Sequence, residues 1–286
     1  MIARDPGLDS LGWSLEPGVL VPLALAALLY ARGTIVLGRR GRGVAIRPPQ
    51  VVSFAAGWLV VALALVSPLH DASERLFSAH MVQHELLMAV AAPLLALGRP
   101  MIVMLWSLPA RGRRVIGRAT RLAAVRAAWA VLARPADAWL IHGVAIWAWH
   151  MPALFEAALR NETIHALQHA CFLGSALLFW WSVVHGQRRA ARGVAVVYLF
   201  TTAVHTGVLG ALMTFARAPW YPAYAGTAPM WGITPMADQQ LAGLIMWVPS
   251  SVAYLIAALA IMMRWLRDSE WAVTQRERAP SALTVR

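Results

Sequence analysis

The chain has 286 residues, of which 59% are hydrophobic and only 13% charged, with a mean hydropathy of +0.59; this balance excludes an ordinary soluble domain and indicates an integral membrane protein. All 25 basic residues are arginine and, set against 13 acids, they give a net charge of +12, a balance that could suit nucleic acid unless topology accounts for it. The single cysteine, Cys171, excludes an intramolecular disulfide and any Cys-based zinc or thiolate copper cluster, so a metal site here must be built from His, Met or carboxylate.

The first sixteen residues, MIARDPGLDSLGWSLE, are mixed, and the apolar run after them is long enough to span. They read as retained rather than as a cleavable signal peptide. Runs of roughly 20 apolar residues, the length a hydrocarbon core of about 30 Å requires, recur at 18–37, 50–67, 76–97, 136–155, 163–185, 193–215 and 239–264. The expected fold is all-α, a polytopic bundle of seven transmembrane helices, with residues 1–286 forming one transmembrane domain. Between the third and fourth runs, 99-RPMIVMLWSLPARGRRVIGRATRLAAVRAAWAVLARP-135 alternates apolar residues with arginine at near-helical spacing, the pattern of an interfacial helix on the inner leaflet. Before the last run, RAPWYPAYAGTAPMWGITPMAD is rich in Pro, Gly and aromatics, which suits a cap at the outer interface. Neither half mirrors the other as in inverted-repeat transporters. No G-x-S-x-G, P-loop or pair of buried carboxylates at matched depth occurs, so no enzymatic activity is expected.

Assigned to alternate sides, twenty arginines fall on one face, including Arg39, Arg40, Arg42, Arg47, eight from Arg99 to Arg134, Arg188, Arg189, Arg192 and five from Arg264 onward. Four lie on the other (Arg4, Arg75, Arg160 and Arg217), and Arg32 sits inside the first helix. The positive-inside rule therefore puts the N-terminus outside and the C-terminus in the cytoplasm. Topology and contact with anionic membrane lipids absorb the arginine excess, and no nucleic-acid partner is expected.

This topology sorts the nine histidines unevenly. Counting about 1.5 Å per residue from the outer helix ends, His80 and His84 lie roughly 6 and 12 Å deep, His165 and His169 about 3 and 9 Å, and His150 about 8 Å. Both 80-HMVQH-84 and 165-HALQH-169 are H-x-x-x-H pairs, whose members share one helix face. Two such helices face to face would supply four nitrogens, enough for the first shell of a d-block metal. Ionisable residues within a membrane normally face the bundle interior with a partner, which makes them functional candidates. Met88, one turn below His84, and Met246 in the last span are possible thioether ligands that would favour Cu(I). Glu85 points about 100° away from His84 and should face a partner or hold the outer nitrogen proton of a ligating histidine, and it stands as a further candidate at the metal site. Asp238 reads as an N-cap or a further ligand. His205, near the midplane with Thr201 one turn away, reads as a packing histidine or a relay. His70, His142 and His185 receive no ligand role.

The stretches 28-LLYARG-33, 67-SPLHDASERLFSAHMVQHELLMAVAAPLLALGRP-100, 147-WAWHMPALFEAAL-159, 165-HALQHACFLGSALLFWW-181 and 238-DQQLAGLIMWVPSS-251 together resemble the multispanning CtaG-type cytochrome c oxidase assembly factors of bacterial plasma membranes. The resemblance covers most of the chain. It implies a seven-helix, multi-pass protein of the bacterial inner membrane that supports assembly of a haem-copper oxidase, with oxidase subunits and a periplasmic copper donor as partners. The motif positions it implies are His80, His84, His150, His165 and His169, with Asp238 and Met246. The leading expectation is a non-enzymatic assembly factor that binds copper in an outer His-rich site. The alternatives are a bis-His membrane haem protein and a copper or proton conduit with His205 as relay.

Overall fold

The computed structural model describes residues 11–39, 46–185 and 191–278. Arg4, Arg40, Arg42, Arg188, Arg189 and Arg286, part of the arginine count, lie outside the described residues, as does the extreme N-terminus. The described residues are helical, with no strand among them: α1 (Pro17–Gly38), α2 (Pro48–Val66), α3 (Pro68–Ser73), α4 (Phe77–Leu97), α5 (Pro100–Ser107), α6 (Ala110–Ala119), α7 (Ala123–Leu132), α8 (Pro135–Trp149), α9 (Pro152–Arg160), α10 (Glu162–His185), α11 (Ala191–Thr214) and α12 (Pro235–Arg278). Seven of these begin on proline, whose fixed φ and missing N–H are tolerated at the first helical position.

Six helices (α1, α2, α4, α10, α11 and α12) are long and apolar enough to cross a membrane alone, and there are seven spans if α8 and α9 count as one crossing broken by a 73° bend. The continuous fourth span expected over 136–155 is therefore corrected: the helix ends at Trp149, and Pro152 starts a new one in another direction. The last helix also differs from the expected 239–264, running as one rod of 44 residues from Pro235 to Arg278, about 66 Å at the usual rise. Hydropathy ends the span at Arg264, but nothing in the polar continuation breaks a helix. Within 99–135, where an interfacial helix is expected, three short helices follow one another, α5 to α7.

The central element is α4. In its apolar window 67% of residues are buried, against 11% for α1. Its middle, Leu86–Ala91, is a wider π-helical turn directly ahead of Pro93, whose ring cannot fit against a regular turn. Around it pack α2, through Ser53 Oγ to Leu94 O (2.9 Å), α10, through Trp180 Nε1 to Met88 O (3.0 Å), and α12. Outside these, α1 leans on α2 and α5, with the Tyr30 ring stacked 3.6 Å from Phe54 and its hydroxyl donating to Gly98 O (2.8 Å). The α11–α12 pair closes on two glycines: a Cβ on Gly210 would lie 2.6 Å from Gly243 O, an approach only small residues allow.

Candidate metal centre

His80 and His84 stand one turn apart on α4, their rings 4.2 Å apart, and His165 and His169 do the same on α10 at 4.3 Å. The two helices present these pairs to each other. His80 lies 5.3 Å from His165 and 6.2 Å from His169, and His84 lies 5.4 Å from His169. The break after Trp149 brings in the fifth ring: His150 caps α8 and sits 6.1 Å from His84. All five residues of the sequence-derived set therefore share one locus. One nitrogen from each of His80, His165 and His169 lies within 4.8 Å of the others. Nitrogens sharing a tetrahedral ion at about 2.0 Å would be about 3.3 Å apart, so side-chain rotations of about an ångström would close a three-nitrogen shell.

The donor chemistry fits such an ion. His150 Nδ1 lies 2.7 Å from Ile146 O, and a carbonyl can only accept. The proton is thus on Nδ1, and the lone pair is on Nε2, which is buried and unpartnered. Holding one ring nitrogen by a backbone carbonyl is how proteins orient a ligating histidine. Both nitrogens of His80 and His84, and Nε2 of His165 and His169, are likewise buried without a hydrogen bond of acceptable geometry. Buried polar atoms are ordinarily satisfied, and so many orphaned imidazole nitrogens in one place are compatible with a bound cation.

A sixth histidine, given no role from the sequence, joins the row. His70 on α3 is buried, with its ring 5.9 Å from His165. Gln83 donates from Nε2 to Ala64 O (2.8 Å) and lies 3.2 Å from His70 Nδ1. An amide nitrogen is only a donor, so Nδ1 accepts and His70 carries its proton on Nε2. That nitrogen faces the exposed carboxylates of Glu74 (3.8 Å) and Glu16 (3.9 Å). The short segment before α4 hid this burial, since the partner that holds His70, Gln83, reaches back from the next helix.

An aromatic lid covers the other side of the cluster. Phe155 of α9 lies 4.9 Å from His80 and packs on Phe77, Tyr221 and Tyr224 at 5.3, 4.1 and 6.4 Å. Tyr221 donates to His150 O (2.7 Å) and Tyr224 to Ser73 O (3.1 Å), pinning the loop to two elements of the site. Burial pushes both phenols above their ordinary value. His80 and His84 are 0% and 1% exposed, while His165 at 9% is the most open, so the cluster opens toward His70 and α10. There a largely apolar cavity of about 500 Å³ between α1, α2 and α10 has His169 in its wall.

The remaining candidates lie elsewhere. Asp238 is in the first turn of α12 rather than at its cap, and its oxygens accept from Phe77 N (2.7 Å), Ser78 N (3.0 Å) and Ser78 Oγ; it caps α4 from across the bundle. Glu85 lies against Ser250 and Tyr254 of α12, on another face from the histidines. Met88 and Met246 are buried in the apolar core, and Met88 falls within the π turn, which shifts it off the face set by His80 and His84. Thr201 donates to Val197 O and Tyr198 O on its own helix, so it is not the partner expected for His205. His185 bonds Ala96 O (2.8 Å) at the far end of α10.

The sequence profile of a family described as cytochrome c oxidase caa3 assembly factor (Caa3_CtaG) matches residues 28–268. The chain is similar to uncharacterized proteins of Mycobacterium bovis and Mycobacterium tuberculosis, each 23% identical over 278 residues, which cover 93% of this chain and 41% of theirs. An uncharacterized protein of Mycobacterium leprae is 22% identical over 273 residues with the same coverage. The chain thus spans about two fifths of the length of these curated relatives. No solved structure matches it.

Proposed function

Since the chain belongs to the cytochrome c oxidase caa3 assembly factor family, we propose that it serves that assembly by binding copper in the imidazole cluster and holding or delivering it for a haem-copper oxidase. The observation that carries this reading is the convergence of five rings with orphaned nitrogens, one of them fixed by a backbone carbonyl in the tautomer a ligand needs. Copper is here cargo, held by His80, His84, His150, His165 and His169. Imidazole is an accepted copper ligand, and five or six donors where four complete a shell allow exchange.

The arginine distribution supports an N-terminus outside and a cytoplasmic C-terminus, which turns the cluster and its lid to the outer face of a bacterial plasma membrane. Residues 1–286 act as one transmembrane unit. Glu16 and Glu74 at His70 would draw cations toward the open side, where a periplasmic copper donor would dock; the client is an oxidase subunit in the same membrane.

The test is metal analysis of protein purified without affinity-tag histidines and loaded with Cu(I). His84→Ala and His169→Ala should each lower the copper bound per chain; full retention by both would sink the reading. One observation favours a second reading, haem ligated by His169 and a histidine of α4: the apolar cavity of about 500 Å³ reaching His169. A strong Soret band in the purified protein would select haem over copper.

A further inference from the structure

Residues 99–135, which follow the opposite end of α4 from the histidine cluster, hold eight arginines and no carboxylate, so none of these charges is neutralised within the segment. At about 100° per residue, α6 turns Ala110, Arg113, Arg114, Gly117 and Arg118 to one side, and Gly112, Val115, Ile116 and Ala119 to the other. Arg121, in the turn that follows, rejoins the first side. The four arginines with Ala110 and Gly117 line one open cavity of about 390 Å³. Its floor is bare, since a Cβ on Gly117 would meet nothing within 4 Å.

Arg113 is fixed at the rim. Its guanidinium carbon lies 4.5 Å from the centroid of the Trp106 ring, and its Nη1 donates to Leu108 O at 3.1 Å. Arg114, Arg118 and Arg121 have no acidic partner among the described residues. Four like charges around one cavity repel one another, and an anion placed between them removes that repulsion.

The opposite side of the helix indicates which anion. Val115 and Ile116 are 65% and 40% exposed, and Val125, Trp129 and Leu132 of α7 are 41–42% exposed. A helix of this kind sinks its apolar side into a leaflet and keeps its basic side at headgroup level. A soluble phosphate or a nucleic acid would meet the arginines and leave the apolar side in water, whereas a phospholipid supplies phosphate to one side and tails to the other. The pair Arg113 and Arg114 is centred about 9 Å along the helix axis from the pair Arg118 and Arg121. Guanidinium groups match phosphate oxygens in geometry as well as charge, so two pairs at this spacing suit two phosphates.

We propose that the arginine cavity of α6 binds an anionic phospholipid with two phosphodiester groups, one held by Arg113 and Arg114 and the other by Arg118 and Arg121. Basic pockets on the cytoplasmic side of membrane proteins take such headgroups, and the arginine count assigns this segment to that side. The site is independent of the copper reading.

The experiment titrates the delipidated full-length protein in detergent with diphosphatidylglycerol, with phosphatidylglycerol at equal phosphate, and with pyrophosphate, following bound lipid by native mass spectrometry and the unfolding midpoint. Wild type should bind one diphosphatidylglycerol per chain and gain stability from it. Arg114→Gln/Arg118→Gln/Arg121→Gln should weaken that binding roughly fivefold for each arginine removed. Gly117→Leu keeps every charge and fills the floor, and it should weaken binding too. Arg126→Gln/Arg134→Gln/Arg267→Gln, which removes the same charge elsewhere on the basic side, should bind as wild type does. No residue of α6 is buried, so the α6 variants leave the packing of the bundle intact. Equal affinity for phosphatidylglycerol, equal losses in the two triple variants, or wild-type affinity in Gly117→Leu would each overturn the site in favour of a diffuse headgroup attraction. Stabilisation by pyrophosphate as large as that by the lipid would overturn it in favour of a soluble anion.

Discussion

Asp238 separates two roles that the sequence left joined, since a carboxylate near five histidines reads as a ligand and the structure uses it as a cap. Its oxygens take the Phe77 and Ser78 amides and the Ser78 hydroxyl, donors at the start of α4 that have no partner within the helix. Asp238 is fully buried, so no solvent replaces it. Asp238→Asn keeps one acceptor oxygen and turns an NH₂ against an amide donor. A hydrogen bond to a charged group contributes about 1.5–3 kcal/mol and an orphaned buried donor costs about 1–3 kcal/mol, so a loss of roughly 2–3 kcal/mol is expected. At about 2–3 °C per kcal/mol for a large chain, the unfolding midpoint in detergent should fall by roughly 4–9 °C. The assay pairs that midpoint with copper stoichiometry at a temperature where the variant is folded. A cap predicts lower stability with unchanged stoichiometry. If copper were lost while the midpoint held, the carboxylate would be a ligand and the capping account would be refuted.

Tyr221→Phe removes the hydroxyl that ties the lid to His150 O and should speed copper release to a chelator several-fold at unchanged stoichiometry; equal release rates would show that the loop does not cover the site. Because burial raises the Tyr221 phenol above its ordinary value near 10, the neutral form is favoured in the folded protein. The tie should therefore hold at all pH below about 10 and its stabilisation fade only above that; a release rate that climbs between pH 7 and 9 in wild type but not in Tyr221→Phe would contradict this. Glu16→Gln/Glu74→Gln should slow copper uptake by about tenfold at low salt and flatten its salt dependence, with stoichiometry intact, and stopped-flow loading decides it. Gly243→Val would drive a side chain into Gly210 O and Thr214; overpacking of this kind costs about 1–3 kcal/mol, to be read as a lower midpoint with no change in copper affinity.

Most of the spans were legible because a hydrocarbon core imposes one length, and α1, α2, α4, α10 and α11 start and stop within two residues of the runs marked from hydropathy. What escaped were features that hydropathy does not encode. The break at His150 and Met151 lies in an apolar stretch, and only Pro152, placed to begin a helix rather than continue one, marks it. The tail of α12 is polar but keeps helical spacing, so a membrane-length criterion ends it too early. The burial of His70 depends on Gln83 reaching back from α4 and on α10 bringing His165 alongside, contacts with no local signature. The cluster itself was partly legible since two H-x-x-x-H pairs define faces, but their mutual approach is a property of the packing of α4 against α10.

The two ends of the imidazole row differ in a way that bears on hand-over. Successive neighbours from His70 through His165, His80 or His169, and His84 to His150 are separated by 4.2–6.2 Å between ring centroids. A closed four-ligand site would hold its donors at one point and keep its ion; a row offers overlapping subsets of donors, each a short step from the next. At one end His70 faces two exposed carboxylates, and at the other His150 is clamped by Ile146 O and its own carbonyl is tied to the lid. Under the copper reading, the His70 end is where exchange with an outside donor is easiest and the His150 end is where the ion is held most firmly. Substitutions along the row should then grade from kinetic effects at His70 to losses of affinity at His84 and His150, and equal effects at all positions would argue for a single closed site.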